Sequence, residues 1–303
     1  MNAVQFVTLL AVLLLAPALP GIATRTKSLL TGRRGAPIIQ LYADLAKLVR
    51  KGVVYSRTTT IVFRAAPVVL TASVLVAALL LPLDGRTPLF GFTGDLVAFA
   101  GLLGLGRFAL VLAALDTGSS FEGMGSSREV TVAAFTEPAL LLSFTVLVLA
   151  TGSLSLGGML GTPLAIAWPT AVPSLVLAAA SLFMLLLAEN ARVPIDDPAT
   201  HLELTMIHEV MVLDHSGPDL ALILYAGAVK FALFAALVVS VLVPLGLFDV
   251  WSSVALLLGG LIVTAVLVGV IEAAMARLRM DRIPQFLVAA SALAGFGVIL
   301  LLR

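Results

Sequence analysis

The chain has no cysteine. Disulfides, thiolate-held iron–sulfur clusters and cysteine nucleophiles are therefore excluded within it. Charge is almost as scarce: Asp, Glu, Lys and Arg make up 12% of 303 residues, against roughly 25% in a soluble domain, and the formal net charge is +1. Histidines number three. No Lys or Arg precedes Arg25, and internal repeats, coiled-coil heptads, disordered tails and low-complexity linkers are missing too. What remains is oil. Hydrophobic residues are 60% of the chain and the mean hydropathy is +1.14, the composition of an integral membrane protein.

Apolar runs of about 20 residues are long enough to cross the hydrocarbon. They fall at 2–24, 61–82, 95–115, 130–150, 169–189, 220–243, 251–275 and 284–302, with Pro and Gly at the joins. The expected fold is an all-α polytopic membrane protein of about eight transmembrane helices. It forms one transmembrane domain over 1–303, with no separate soluble domain.

Lys and Arg set the orientation. The first loop carries Arg25, Lys27, Arg33, Arg34, Lys47, Arg50, Lys51 and Arg57; the later odd loops carry Arg128, Arg192, Arg277, Arg279 and Arg282. The other side has Arg86 and Arg303. The positive-inside rule then puts the odd loops in the cytoplasm and both termini outside, in the plasma (inner) membrane. Ala16-Pro17-Ala18 resembles a signal-peptidase site, but a signal peptide carries its positive charge before the apolar run, whereas Arg25 and Lys27 follow it. The first-loop basic cluster suits topology and anionic lipid headgroups, not nucleic acid.

Arg107, Glu137, Glu189, Lys230 and Glu272 are among the ionisable residues that fall within or at the ends of spans. Glu137 is expected roughly 10 Å, and Lys230 roughly 15 Å, from the cytoplasmic ends of their helices. Pairing that merely fixes helix contacts explains any one of them. Five on several helices at similar depth point to a polar track, because each unpaired charge costs at least about 2.5–3.5 kcal/mol at the helix centre. Pro138, directly after Glu137, frees a backbone carbonyl one turn back.

The fifth loop, about 190–219, is dense in charge. His201, His208 and His215 are spaced by seven, so in a helix neighbouring rings would lie about 10.5 Å apart and could not share a metal. His208-Glu209 lacks the second histidine of a zinc-protease helix, since position 212 is Val. The histidines could instead carry protons near neutral pH. Asp196, Asp197, Glu203, Glu209 and Asp214 alternate with apolar residues, which favours docking or lining a cavity. In the first loop, apolar positions from Ile38 to Val49 recur at three and four while Gln40, Asp44 and Lys47 share another stripe. That predicts an amphipathic helix lying on the membrane or receiving a soluble partner.

Three segments carry a family resemblance: Gly32-Arg33-Arg34-Gly35 through Gln40, Asp44 and Lys47; Gly125-Ser126-Ser127-Arg128-Glu129 followed by Glu137-Pro138; and Glu189-x-x-Arg192-x-Pro194-x-Asp196. The last continues through His201-Leu202-Glu203-Leu204-Thr205-Met206 to His208-Glu209. The chain resembles the NADH dehydrogenase subunit 1 family. Within it, that continuation resembles the formate hydrogenlyase subunit 4 / hydrogenase-4 component C branch of complex I-like membrane-bound hydrogenases.

The resemblance implies a non-catalytic membrane subunit that anchors a cytoplasmic redox arm and holds no redox cofactor. Its implied partners are hydrogenase large and small subunits and iron–sulfur subunits, with iron–sulfur clusters and a nickel–iron centre among their cofactors, together with antiporter-like membrane subunits. Glu137, Glu189 and Glu203 match family acidic positions on a proton path, to which Arg107, Asp214, Lys230 and Glu272 are added here. Arg128 and the fifth-loop residues Arg192, Asp196, His201, His208 and Glu209 would face the catalytic arm, as would Arg33, Arg34, Gln40, Asp44 and Lys47.

The sequence departs from the family pattern at Asp214-His215, where relatives usually carry Glu-Tyr, and at Ala36, where the respiratory Gly-Pro-Asn-Arg pattern is absent. An alternative is the quinone-site subunit of a proton-pumping dehydrogenase, which would need a chamber between the first loop, the fifth loop and helix one. A stand-alone secondary transporter comes third, because no paired half-sequences are visible.

Overall fold

The computed structural model describes residues 3–196 and 206–303. Their helices are α1 (Ala3–Leu15), α2 (Ala18–Leu30), α3 (Gln40–Val49), α4 (Ile61–Leu80), α5 (Asp95–Asp116), α6 (Ser120–Thr151), α7 (Leu156–Leu160), α8 (Thr162–Glu189), α9 (Gly217–Leu242), α10 (Val250–Ala274) and α11 (Ile283–Leu301). Seven are long and apolar enough to span a membrane, and α1 with α2 form an eighth span bent by 44°. The chain is a multi-pass membrane protein.

The expected first span is thus broken, and its chemistry shows why. Pro17 has no N–H to give Leu13, and the break leaves Leu14 O without a helical donor. Two tyrosines take over: Tyr225 Oη of α9 donates to Leu13 O at 3.4 Å, and Tyr42 Oη of α3 donates to Leu14 O. Backbone polar groups inside a membrane must find partners within the protein, and here the partners are phenols.

α9 is the central helix. It packs against α4, α8, α10 and the surface helix α3, and nearly all of its residues from Ala228 to Val241 are buried. Helices approach closely where small residues allow it. A Cβ on Gly269 of α10 would lie 2.4 Å from Ala23 O of α2, and one on Gly106 of α5 would lie 2.9 Å from a Leu70 methyl of α4.

α6 begins at Ser120, ten residues or about 15 Å of helix before the expected span, and runs unbroken through Pro138. Its extension adds Glu122 and Glu129, with exposures of 0% and 4%. With Thr136 and Ser143 they recur every seventh residue, which keeps all four near one helix face, and all four are buried. The first-loop helix forms as expected, with Gln40 Nε2 donating to Asp44 Oδ1 at 2.9 Å across one turn. The fifth loop does not continue as a helix. Residues 206–216 make a strap with a short 3₁₀ turn at Glu209–Val212, packed against α6 and α5.

Candidate functional site

Arg107 of α5 is the hub. Its Nε lies 3.3 Å from Glu129 Oε1, its Nη1 donates to Glu137 Oε1 at 3.0 Å, and its Nη2 donates to Glu189 Oε1. A planar guanidinium can fork to three carboxylates at once, which an ammonium could not do in this plane. Lys230 of α9 reaches the other oxygen of Glu189 at 3.3 Å. On the opposite side, His208 Nε2 of the strap lies 3.3 Å from Glu129 Oε2. One connected group therefore joins α5, α6, α8, α9 and the strap.

The charges in this group do not balance. Among the described residues, Arg107 and Lys230 supply two cations, and Glu129, Glu137 and Glu189 supply three carboxylates, so with all five ionised the sum is −1. One added positive charge would restore neutrality, and uncompensated charge is costly inside a bundle. His208 touches the group through Glu129.

Two spaces meet at Arg107 and Glu189. A cavity of about 290 Å³ opens on the strap side, where Pro20 of α2, Leu41 of α3 and His208 also line it. A void of about 20 Å³, enough for one water, lies on the other side against Thr136 and Glu137. The Glu137 side chain is 57% exposed on the flank of the bundle, while those of Glu129 and Glu189 are 5% and 6% exposed.

Glu272 is not part of this group. It accepts from Arg192 Nη1 at 3.3 Å, and both are buried. Arg192 and Asp196, expected at a partner-facing surface, are turned inward at 7% and 2% exposure. Asp196 Oδ1 lies 3.0 Å from Arg277 Nη2, while its Oδ2 accepts the backbone N–H groups of Ile207 and His208 at 3.0 and 3.3 Å. These ion pairs bind the strap and the seventh loop to the bundle, and desolvation explains why they face inward: a buried charge needs a partner of opposite sign. Arg128 Nη1 donates to Met206 O at 2.9 Å and also holds the strap, while Glu209 lines the large cavity.

Asp214 is exposed, and only its backbone N–H points inward, to Glu122 Oε1 at 3.1 Å. Arg33, Arg34 and Lys47 are exposed on the first loop, beside Gln40 and Asp44. Glu203 and His201 lie outside the described residues.

Sequence reasoning did not assign Glu122 and Glu129 a role, although the seven-residue spacing with Thr136 and Ser143 was the available signal. It also left His215 unassigned. That ring stacks on Phe63 at 3.9 Å and 6°, and neither ring nitrogen has a hydrogen-bond partner among the described residues. Beside it Tyr55 Oη donates to Asp219 Oδ2 at 2.9 Å, and Arg64 lies over the Tyr55 ring.

Comparison with known proteins agrees with this architecture. Residues 3–302 match the NADH dehydrogenase family model. Hydrogenase-4 component C of Escherichia coli (strain K12) is 36% identical over 252 residues, covering 83% of this chain and 78% of that protein. Formate hydrogenlyase subunit 4 of the same organism is 30% identical over 302 residues, covering 97% and 94%. In the structure of the membrane-bound sulfane sulfur reductase, an archaeal respiratory membrane complex, one chain superposes with a TM-score of 0.82 at 18% identity and 98% coverage of both chains, which establishes a shared fold. The chain belongs to the NADH dehydrogenase family of membrane proteins, with hydrogenase-4 component C and formate hydrogenlyase subunit 4 as homologues.

Proposed function

We propose that this chain is the membrane subunit of a complex I-like hydrogenase or formate hydrogenlyase-type complex, where it anchors a cytoplasmic redox arm and lines the path that couples redox chemistry to ion translocation. The observation that carries this reading is the unbalanced group around Arg107: two cations, three carboxylates and an adjoining imidazole, placed between a cavity and a water-sized void. A purely structural network would be expected to balance, as the Arg192–Glu272 pair does among the described residues.

Protons enter at the strap, where His208 meets Glu129, and leave at Glu137. An exposed carboxylate on the flank of a membrane bundle is costly in lipid, so a neighbouring subunit with polar groups covers it. Antiporter-like membrane subunits suit that position. The redox arm, with its large and small subunits, iron–sulfur clusters and a nickel–iron centre, docks on the exposed first loop around Arg33, Arg34 and Lys47. The orientation follows the Lys and Arg bias, with both termini outside and the whole chain acting as one transmembrane unit.

Affinity purification from native membranes tests this reading. Iron–sulfur and large-subunit partners should co-purify, and the large subunit should carry two Cys-x-x-Cys pairs. A chain that purifies and transports ions alone would be a secondary transporter instead.

A quinone-site role is the second reading. The 290 Å³ cavity lies among α2, α3 and the strap, where such a chamber would be needed. Its volume is at the lower end of ligand pockets, about 300–1,000 Å³, which disfavours a long isoprenoid tail. Quinone-dependent turnover blocked by a Leu41→Trp substitution would support it.

A further inference from the structure

The three carboxylates on Arg107 are not served alike. Glu189 has a second cation in Lys230 at 3.3 Å, and Glu129 has a second basic nitrogen in His208 at 3.3 Å. Glu137 has Arg107 Nη1 at 3.0 Å and no second basic group among the described residues. It is also the one whose side chain is 57% exposed, about 10 Å of helix inside the apolar run of α6 and so against hydrocarbon when the chain is alone. The surface around it is low. A Cβ on Gly104 of α5 would meet only Glu137 Oε1, at 3.7 Å, and one on exposed Gly101, a turn away, would meet nothing within 4 Å. Ala134 and Pro138 are its exposed neighbours on α6, while Val97 and Phe108 stand taller toward the two ends of α5, at 63% and 59% exposure.

We propose that this flank receives a transmembrane helix of a neighbouring subunit, and that the helix carries a Lys or Arg that pairs with Glu137. Complementarity sets the chemistry. The other two carboxylates are each completed by a second basic nitrogen from a different element, and a positive charge is also what the group as a whole lacks among the described residues. A base on the neighbouring helix has the matching need, because an isolated charge is as costly there as on α6. Gly101 and Gly104 let the two backbones approach closely, which brings that side chain within reach of the carboxylate. A lipid tail offers Glu137 neither charge nor hydrogen-bond donor. The docking rests on the membrane-subunit reading above, with the neighbour's basic residue as the new element, and requires nothing of the proton path.

The test uses the intact complex in native membranes. A benzophenone photo-crosslinker in place of Leu141, exposed one turn from Glu137 on α6, should capture a membrane helix with a Lys or Arg in its apolar stretch, identified by peptide mass. Gly101→Trp should not lower the thermal midpoint of the detergent-purified chain, because its side chain enters open space, but should reduce the neighbour that co-purifies. Glu137→Lys sets like charges against each other across the interface and should cut co-purification by about tenfold. Replacing the captured basic residue of the neighbour with Glu should restore it in that background. Glu137→Gln, which still accepts a hydrogen bond, should spare assembly.

Capture of lipid alone at Leu141, capture of a helix with no Lys or Arg in its apolar stretch, or undiminished co-purification in Gly101→Trp overturns the proposal. So does failure of the reversed charge to rescue Glu137→Lys. A misfolded chain is not rescued by a change on another subunit, so recovery separates docking from folding. A complex that keeps its redox subunits but yields lipid at Leu141 sinks the docking alone, whereas a chain that purifies with no partner sinks the membrane-subunit reading as well.

Discussion

Lys230 Nζ lies 3.3 Å from Glu189 Oε2, on the oxygen that Arg107 leaves open. The carboxylate thus sits between two cations brought by different helices, α5 and α9. Movement of α9 against α5 would change the balance at Glu189 before any other group in the cluster.

Glu137→Gln should leave the fold nearly unchanged, because its side chain is 57% exposed in the isolated chain and exposed ion pairs contribute at most about 1 kcal/mol. Proton-coupled turnover in proteoliposomes should fall by about a hundredfold, the lower range for loss of a positioned proton-transfer group. Wild-type coupling in a fully assembled variant would remove Glu137 from the path.

Arg107→Met should have the opposite profile. It leaves buried Glu129 and Glu189 with Lys230 as the one remaining cation of the group, and breaking a buried pair from one side costs about 3–5 kcal/mol. The thermal midpoint of the detergent-purified protein should drop sharply, and adding Glu189→Gln should recover part of the loss. A midpoint unchanged by Arg107→Met would mean that the cluster is not closed as described.

His215 gives a pH dependence. Burial against Phe63 depresses its imidazole to about 4, while the nearby carboxylates of Asp219 and Asp214 pull the other way. The unfolded chain's imidazole titrates near about 6.5. Between these values the unfolded state binds more protons, so this contribution to stability is complete above the upper value and is lost as pH falls toward the lower. Thermal midpoints should decline over that window, and His215→Phe, which keeps the ring stack, should flatten the decline. Parallel curves for the two proteins would count against it.

Tyr42→Phe removes the donor to Leu14 O at the break in the first span. The cost should be about 1 kcal/mol, the net worth of one such hydrogen bond. Limited proteolysis should then cut the first loop faster than in Tyr225→Phe, whose bond to Leu13 O comes from α9 and not from the first-loop helix. Equal rates would show that Tyr42 does not secure the loop.

Membrane-length runs such as 61–82 and 95–115 were legible because bilayer thickness sets their length and Gly and Pro mark their ends. The amphipathic helix at Gln40–Val49 was legible for a related reason, its apolar period. The start of α6 was not. Ser126, Ser127 and Arg128 have the composition of a loop, and tertiary contact with the strap and α11 keeps this polar stretch helical.

Of the site, Arg107, Glu137, Glu189 and Lys230 were found by their depth in the spans, Glu137 and Glu189 also by the family resemblance, and the structure brings those four together. Which carboxylate meets which cation depends on helix packing. Nothing in the spacing of Arg192 and Glu272, eighty residues apart, distinguishes that pair from the Arg107 group. Pro17 was visible, but its consequence needed the two tyrosines, which come from distant parts of the chain.

The elbow at Pro17 divides the first span mechanically. Its lower arm, α2, continues into the charged first loop and packs on α10, while the carbonyls at the joint are held by phenols from α3 and α9. Leu13 and Leu14 belong to the last turn of α1, so a force applied to the amphipathic helix reaches α1 directly through Tyr42. The surface helix is thereby coupled to the outer arm across the elbow, and Pro20 of α2 and Leu41 of α3, on the rim of the large cavity, stand on either side of that coupling.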